Sequence, residues 1–304
     1  FNNGKLLNFK FDKEKLNQMR IPYAFSSGAN AMAVREYVFS TIALMLQEKK
    51  FDKTQPALIM GCGNIGEGIY QALKYFGFNV SSYDPYKLST NHNEDIQGYA
   101  LISLHVPLTT ASESKHFTEN LISASKFERC DDGAIIINTS RGGVVSEEDF
   151  LELDDQANNI QIISDVFKNE PQINENFLEK NLLGTPHIAG HSQFARYHMT
   201  KMAYENVVNF LGKIPLEKED ILESKILAFD KKSFDKDMKE FGLPVSLMLD
   251  TYNPKLDIFE SANFKKIRDN YNERIGYSQV VINNCKSEHD RSILKELGFK
   301  VQES

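Results

Sequence analysis

Four short segments follow one another along this chain with side chains suited to moving a proton and a hydride on a small hydroxy acid. Gly61-Cys62-Gly63-Asn64-Ile65-Gly66 offers a backbone cradle, and Asn138-Thr139-Ser140-Arg141-Gly142 offers a fixed cation. Asp165 through Glu170-Pro171 supplies carboxylates, and Thr185-Pro186-His187 supplies an imidazole. A guanidinium holds a carboxylate through two parallel hydrogen bonds, because its planar fork matches the two oxygens. Arg141 is therefore the candidate substrate clamp, and Gly142 and Gly143 beside it let backbone approach a ligand closely. Oxidising a secondary alcohol releases a hydroxyl proton as the hydride leaves, and imidazole accepts a proton near neutral pH. His187 is the candidate general acid/base. A carboxylate beside it, Glu170, would favour the charged ring and fix its orientation. Order along the chain links these residues, since a sequence does not measure the distance between them.

The glycine triplet gains its meaning from context. It directly follows an apolar strand, opens a helix, and has Asp84 at the end of the next strand. Gly61 permits the tight turn, Gly63 lets the backbone approach a pyrophosphate, and Gly66 allows helix and strand to pack closely. Asn64 and Ile65 complete the turn, whose helix N-terminus adds partial positive charge for phosphates. Asp84 would accept the ribose hydroxyls and repel a 2′-phosphate, so NAD is expected rather than NADP. Cys62 is read as a small space-filling residue. His105, within Leu104-His105-Val106-Pro107-Leu108, either lines this cleft or packs beneath it.

These groups need a parallel sheet to hold them. Strands are expected at Ala57 to Met60, Asn79 to Tyr83, Ala100 to His105, Ala134 to Asn138 and Ile160 to Ser164, each short and apolar enough for burial on both faces. Helical spacing over Ala29 to Leu46 predicts a long buried helix, and Ile65 to Phe76 a crossover helix. Ser146, three residues before Asp149, reads as a capping-box start, while the acidic run Glu147 to Asp155 otherwise reads as a solvated face. Upstream, Lys5 to Phe11 is expected as a strand, leading into a helix over Phe11 to Met19 with Asp12 as its N-cap. Downstream come a helix over Phe194 to Leu211, helical Met238 to Phe241, a strand at Gln279 to Ile282 and a helix over Asp290 to Leu297. The alternation of strand and helix predicts an α/β, doubly wound, Rossmann-like NAD domain, followed by a small α+β unit in the tail with no catalytic motif of its own.

Composition narrows the partners. The 304 residues carry a net charge of −7, which disfavours nucleic acid as a ligand because phosphate backbones bind clustered Lys and Arg. Lys265, Lys266 and Arg268 read as a solvated helix face. No stretch approaches the ~18 consecutive apolar residues of a membrane span, no signal peptide opens the sequence, and a cytoplasmic location is expected. Cys62, Cys130 and Cys285 lack the spacing of a disulfide framework or zinc site. His187 and His191 lie four apart without the glutamate of a zinc-protease helix, so no metal is expected.

Gly61-x-Gly63-x-x-Gly66, Leu104-His105-Val106-Pro107-Leu108-Thr109, Ile137-Asn138-Thr139-Ser140-Arg141-Gly142-Gly143-Val144-Val145, Asp165-Val166-Phe167-x-x-Glu170-Pro171 and Thr185-Pro186-His187-Ile188-Ala189-Gly190 together resemble the D-isomer-specific 2-hydroxyacid dehydrogenases. The likeness spans about Gly28 to Leu211. It implies that Arg141 binds the substrate carboxylate and Glu170 pairs with His187. It also implies that Gly61, Gly63, Asn64, Ile65, Gly66, Asp84, Thr139, Ser140, Asp165 and Gly190 line the NAD site. The tail, from Phe264 to Arg274 and then Leu294 to Phe299, resembles the branch of that family that acts on erythronate 4-phosphate. That branch implies oxidation of 4-phospho-D-erythronate to 2-oxo-3-hydroxy-4-phosphobutanoate, a step toward pyridoxal 5′-phosphate. The tail would then be a dimerisation domain of a homodimer. The division implied is residues 1–28 as a remnant of the substrate lobe, 29–190 as the dinucleotide domain, 191–215 as a helix returning to the substrate lobe, and 216–304 as the dimerisation domain. Relatives in this branch usually place Tyr where His191 stands. Another D-2-hydroxy acid as substrate, or a non-catalytic NAD-binding regulatory dimer, are the rival readings, and the joint presence of Arg141, Glu170 and His187 favours an enzyme. Arg274 and Arg196 are conceivable contacts for a substrate phosphate.

Overall fold

The structure is a computed structural model that describes residues 12–87, 94–153, 159–214 and 222–302. The strand expected at Lys5 to Phe11 lies outside these, and the helix expected after it is present as α1 (Lys13–Gln18). There Asp12 caps the helix, its carboxylate accepting from the Lys15 N–H at 2.9 Å. Helix α2 (Ala31–Gln47) is apolar around most of its circumference and is buried along most of its length, as a helix without a polar face must be.

From β1 (Ala57–Met60) the chain winds through α3 (Gly66–Tyr75) to β2 (Val80–Tyr83) and crosses to β3 (Leu101–Leu104). It continues through the short α4 (Ala124–Phe127) to β4 (Ile135–Asn138), through α5 (Glu147–Leu151) to β5 (Gln161–Ser164), and through α6 (Glu175–Lys180) to β6 (Leu183–Gly184). All six strands are parallel, in the order β2-β1-β3-β4-β5-β6. Alternate residues of each strand feed two separate cores. Ile59, Leu101, Ile135 and Ile163 face the side covered by α2 and α3, and Leu58, Ile102, Ile136 and Ile162 face Phe127, Phe150 and Phe177. Burial on both faces is why these strands read as continuous apolar runs.

The strands end together. In register across the sheet lie Tyr83, Met60, Leu104, Asn138, Ser164 and Gly184. Every chemically interesting segment leaves the sheet just past this row. Between β1 and β3, the strand order reverses, which opens the crevice where such sheets bind ligands.

After β6 comes α7 (Gln193–Phe210), started by Ser192, whose hydroxyl accepts from the Ala195 N–H at 3.1 Å. The tail contains β7 (Lys225–Ala228), α8 (Lys231–Glu240), α9 (Val245–Thr251), α10 (Phe264–Asp269), β8 (Val280–Asn283), α11 (Glu288–Glu296) and β9 (Lys300–Val301). It mixes helix and strand as expected, but its three strands are parallel, β7-β8-β9, so the unit is wound in βαβ fashion rather than as α+β. The sequence pattern showed only β8, because β7 is largely exposed and β9 has two residues. The tail also shares its packing with the large sheet. Phe259 and Phe264 meet Phe167 with ring centroids 5.9 and 6.1 Å away, and Met248 and Tyr252 join the core beneath α2.

Ser146 Oγ accepts from the Asp149 N–H at 3.3 Å, which makes half of the expected capping box. The Asp149 carboxylate turns to the Ala124 N–H at 2.7 Å instead of closing the other half. Glu147 departs further from expectation, since it is buried and not solvated. It accepts from the Lys168 N–H at 2.6 Å, and burial pushes its carboxyl up to about 7. Asp155, at the end of that acidic run, lies outside the described residues.

Candidate active site at the carboxyl edge of the sheet

The glycine turn sits at the strand reversal. Gly61 has φ +88°, and a Cβ there would come within 2.5 Å of the His105 carbonyl oxygen, so the ends of β1 and β3 abut at this point. A Cβ on Gly66 would lie 1.9 Å from the Gly61 carbonyl oxygen, whereas one on Gly63 would meet nothing within 4 Å. Packing thus requires Gly66, while Gly63 borders open space before the N-terminus of α3. That combination of bare backbone and helix dipole fits a dinucleotide diphosphate. Ile65 is the N-cap of α3, and Asn64 offers its carbonyl oxygen to Arg35, which donates from Nε at 3.1 Å and also from Nη2. Arg35, on α2, is a brace the sequence did not reveal.

Asp84 follows β2 directly. One carboxylate oxygen accepts from the Cys62 N–H and the other from the Tyr86 N–H, each at 2.9 Å, so the acid is tied to the glycine turn it would serve. Lys87 pairs with Glu67 at 3.2 Å. Cys62 is fully buried and its thiol is pushed up by burial, as a space-filling residue would be.

Around β3 and β4 the hydroxyls act as lacing. Ser140 Oγ donates to the Leu104 carbonyl at 2.6 Å and accepts from the Val106 N–H at 3.1 Å. Ser140 is 5% exposed, so this expected cofactor contact is engaged in joining two loops. Thr139 Oγ1 lies 3.4 Å from His105 Nδ1, and the other ring nitrogen is 2.9 Å from Ser103 Oγ. Burial pushes His105 down to about 3, leaving it a neutral strut. Arg141 emerges three residues beyond β4, exposed, with Nη1 donating to the Ser140 carbonyl at 2.6 Å.

Asp165 stands directly after β5 and is 2% exposed. One oxygen accepts from Thr185 Oγ1 and the Ile188 N–H, both at 2.7 Å, and the other from the Ala189 N–H at 2.9 Å. Tyr37 on α2 donates to Thr185 Oγ1 at 2.7 Å, whose own proton goes to Asp165. Burial raises the Asp165 carboxyl to about 6, against the opposing charge of His187. Expected as a dinucleotide contact, Asp165 is mainly the anchor of the loop after β6. That anchor matters because His187 holds φ +57°, a left-handed conformation that costs a side-chain-bearing residue on the order of 1–3 kcal/mol.

The imidazole is placed by this loop. His187 Nδ1 donates to Glu170 Oε2 at 2.6 Å, and the other Glu170 oxygen accepts from the Phe167 N–H at 2.9 Å. Their side chains are 22% and 7% exposed, so the ring reaches the surface while the acid stays beneath it. A carboxylate only accepts, so Nδ1 carries the proton and Nε2 keeps its lone pair in the neutral ring. Gly190, also expected near the dinucleotide, lies against α2, where a Cβ would come within 2.5 Å of Asn30 Nδ2.

The tail supplies a residue that sequence reasoning misplaced. Arg274 is buried, with Nη1 donating to the carbonyls of Ile188 and His191 at 2.9 and 2.7 Å, and Nη2 to those of Ala33 and Ala189 at 2.7 and 2.6 Å. Its guanidinium also lies over the Tyr252 ring, 4.5 Å from the centroid. With its fork on four backbone oxygens it is no phosphate contact. It clamps the His187 loop to α2. Arg196 is mostly exposed and pairs with Glu273 at 2.8 Å.

Comparison with known proteins adds to this geometry. Residues 46–189 match the family model of the D-isomer specific 2-hydroxyacid dehydrogenase NAD binding domain. The chain is 34% identical over 209 residues to an erythronate-4-phosphate dehydrogenase of Wigglesworthia glossinidia brevipalpis, which covers 66% of this chain and 55% of that protein. It is 30% identical over 262 residues to an erythronate-4-phosphate dehydrogenase of a Psychrobacter strain, covering 83% of this chain and 68% of the relative. The first of these matches thus spans about half the relative's length. Among solved structures, the NAD+-bound 3-phosphoglycerate dehydrogenase of Entamoeba histolytica superposes with a TM-score of 0.54 at 21% identity, covering 69% of this chain and 72% of the other.

Proposed function

The chain belongs to the D-isomer-specific 2-hydroxyacid dehydrogenase family, and from that membership and the geometry of the sheet edge we propose that it oxidises 4-phospho-D-erythronate to 2-oxo-3-hydroxy-4-phosphobutanoate with NAD, a step toward pyridoxal 5′-phosphate. The observation that carries the reading is the His187–Glu170 pair, set at 2.6 Å on the same edge as the glycine turn and Arg141. A bound nicotinamide supplies the hydride acceptor. Gly61, Gly63, Asn64, Ile65 and Gly66 would hold the dinucleotide's diphosphate, and Asp84 would take its ribose hydroxyls.

Arg141 holds the substrate carboxylate with the free part of its fork. His187 takes the C2 hydroxyl proton on Nε2 as the C2–H bond breaks, and the ring becomes cationic. Glu170 stabilises that cation through Nδ1–H and keeps the ring aimed. The buried anchor Asp165 and the clamp Arg274 hold the loop still while this charge comes and goes.

The tail is proposed to join two copies of the chain. Ile226 on the edge strand β7 is 65% exposed, and Leu256 and Ile258 are also exposed, which is the kind of apolar surface a second copy covers. None of the described helices is long and apolar enough to cross a membrane. The three cysteines are free and buried, which suits the proposed cytoplasmic setting.

The test is NADH formation from 4-phospho-D-erythronate by the protein and by His187→Ala. Turnover that depends on His187 supports the proposal. Equal rates in the two proteins would remove the acid/base assignment.

A further inference from the structure

Arg35 of α2 and Gly68 of α3 meet at the start of α3. Gly68 lies in the first turn of that helix without a positive φ, so the backbone there does not call for glycine. Glycine inside a helix is destabilising relative to alanine, because it gives up more backbone freedom on folding. The reason for it lies on α2. A Cβ at Gly68 would overlap Cζ, Nε and Nη1 of Arg35. The arginine thus crosses the first turn of α3 through the gap that the missing side chain leaves.

What Arg35 reaches through this gap is the glycine turn. Nε donates to the Asn64 carbonyl at 3.1 Å, and Nη2 donates to the same oxygen. Asn64 is held at its other end as well, since a Cβ on Gly28, just ahead of α2, would lie 2.7 Å from Asn64 Nδ2. Burial alone shifts the Arg35 guanidinium down, and no carboxylate pairs with it among the described residues, so its fork is spent on one carbonyl oxygen. A trans peptide is planar, with its C=O and N–H on opposite edges. Drawing the Asn64 oxygen toward α2 therefore turns the Ile65 N–H the other way. That N–H has no hydrogen-bond partner among the described residues, and Gly63 and Asn64 beside it are exposed. An amide whose oxygen is held by a cation is also a stronger donor, because linked hydrogen bonds polarise one another.

We propose that Arg35 is a positioning residue of the dinucleotide cradle, reaching across Gly68 to turn the Asn64 carbonyl away from the diphosphate and leave the Ile65 N–H to face it. A released carbonyl could swing its oxygen toward the phosphates, where two negative ends repel. The proposal takes the identity of its ligand from the dehydrogenase reading. It makes its own demand, however: diphosphate binding depends on Arg35, and on the lack of a side chain at residue 68, whether or not turnover follows. The sequence alone hid the pairing, because Arg35 is a charge within an apolar helix and Gly68 is an extra glycine just past the motif, and only the packing of α2 on α3 brings them together.

The experiment titrates ADP-ribose, which carries the diphosphate without the nicotinamide, into the full chain by calorimetry, then follows NADH formation from 4-phospho-D-erythronate at varied NAD. Parent, Arg35→Met, Arg35→Lys, Gly68→Ala and the double variant Arg35→Met with Gly68→Ala are compared, each with a thermal melt. Arg35→Met is expected to weaken ADP-ribose about tenfold and to raise KM for NAD by a similar factor, with kcat at saturating NAD little changed. Arg35→Lys should lose less, because it keeps charge but not the fork. Gly68→Ala should weaken ADP-ribose by displacing the guanidinium, while its melting temperature holds or rises, since alanine favours the helix. A brace that served stability alone would not separate affinity from melting in this way. The double variant should bind no more weakly than Arg35→Met, because the second change has nothing left to displace. Unchanged ADP-ribose affinity in folded Arg35→Met or Gly68→Ala overturns the proposal, as do losses that add in the double variant. Arg35-dependent ADP-ribose binding in a protein that forms no NADH upholds it and removes the proposed reaction. A parent that binds neither ADP-ribose nor NAD overturns it together with the cradle.

Discussion

Arg274 donates to the carbonyl oxygen of Ala189 at 2.6 Å, two residues beyond His187 and far from it in sequence. The tail therefore helps to build the loop that carries the imidazole. Asp165 grips the same loop from the other side through the Ile188 and Ala189 N–H groups. Donors are held by an anion and acceptors by a cation, so the N–H groups of Ile188 and Ala189 and the carbonyls of Ile188, Ala189 and His191 all have charged partners.

Replacing Arg274 by Lys keeps the charge but gives up the planar fork that reaches four carbonyls. Each hydrogen bond lost from a charged donor costs about 1.5–3 kcal/mol, and a misplaced catalytic group lowers rate steeply. Arg274→Lys is expected to reduce kcat by on the order of tenfold to a hundredfold while KM for the acid moves less. Kinetics with a thermal melt would check this. A lowered melting temperature with kcat intact would mean that the loop holds its shape without the tail.

The His187–Glu170 pair makes a graded prediction. His187→Ala removes the proton acceptor and should lower kcat by about 10²–10⁴. Glu170→Gln leaves a neutral partner for Nδ1–H and gives up the stabilisation of the charged ring, so its loss should be smaller. Neither side chain belongs to the glycine turn, so NADH affinity, read by fluorescence, should stay within a few-fold of the parent in both variants.

The sheet was legible because burial on both faces leaves its mark in apolar runs such as Ala57–Met60 and Ile135–Asn138, and α2 because its apolar character extends around the helix. The residue types at the sheet edge were legible for the same reason, since strand ends fix where Asp84, Arg141, Asp165 and His187 emerge. Long-range pairing was not. Arg274 looks like an ordinary charge in a polar stretch until the tail folds back on the loop after β6. Glu147 sits in an acidic run, and only the return of Lys168 makes it a buried acceptor. Asp165 and Ser140 were recognised as site residues, but their internal bonds depend on neighbouring strands that no local pattern encodes.

One buried carboxyl should weaken the fold as pH rises toward neutrality. Burial pushes Glu36 up to about 7, opposed by the charge of Arg274, and its Oε2 has no hydrogen-bond partner among the described residues. A carboxyl whose folded value exceeds its unfolded one favours folding fully below about 4.5, and that contribution is lost as pH climbs to about 7. Within that window each pH unit costs about 1.4 kcal/mol from this group. Glu147, at about 7, and Asp165, at about 6, act in the same direction. Buried His105 and His191, held neutral by the fold, act in the opposite direction over part of this range, so Glu36 is read from a difference: in urea unfolding from about pH 4.5 to 7.5 the parent should lose stability relative to Glu36→Gln as pH rises. Parallel curves for the two proteins would mean that Glu36 keeps its unfolded proton affinity inside the fold.

Asp84 provides the test of cofactor choice. Its two oxygens brace the Cys62 and Tyr86 N–H groups, so it could serve the turn alone, without meeting a ribose. Asp84→Ser distinguishes the two roles, because a hydroxyl still accepts one backbone bond while the negative charge is gone. If the carboxylate faces the ribose, NAD should bind about tenfold more weakly, and NADP should bind more tightly once repulsion of its 2′-phosphate is removed. Lys87, which now pairs with Glu67, is then near enough in sequence to add attraction for that phosphate. Dissociation constants for both dinucleotides in both proteins give the ratio directly. A ratio that stays constant while both affinities fall would assign Asp84 to the turn and leave the preference for NAD to another residue.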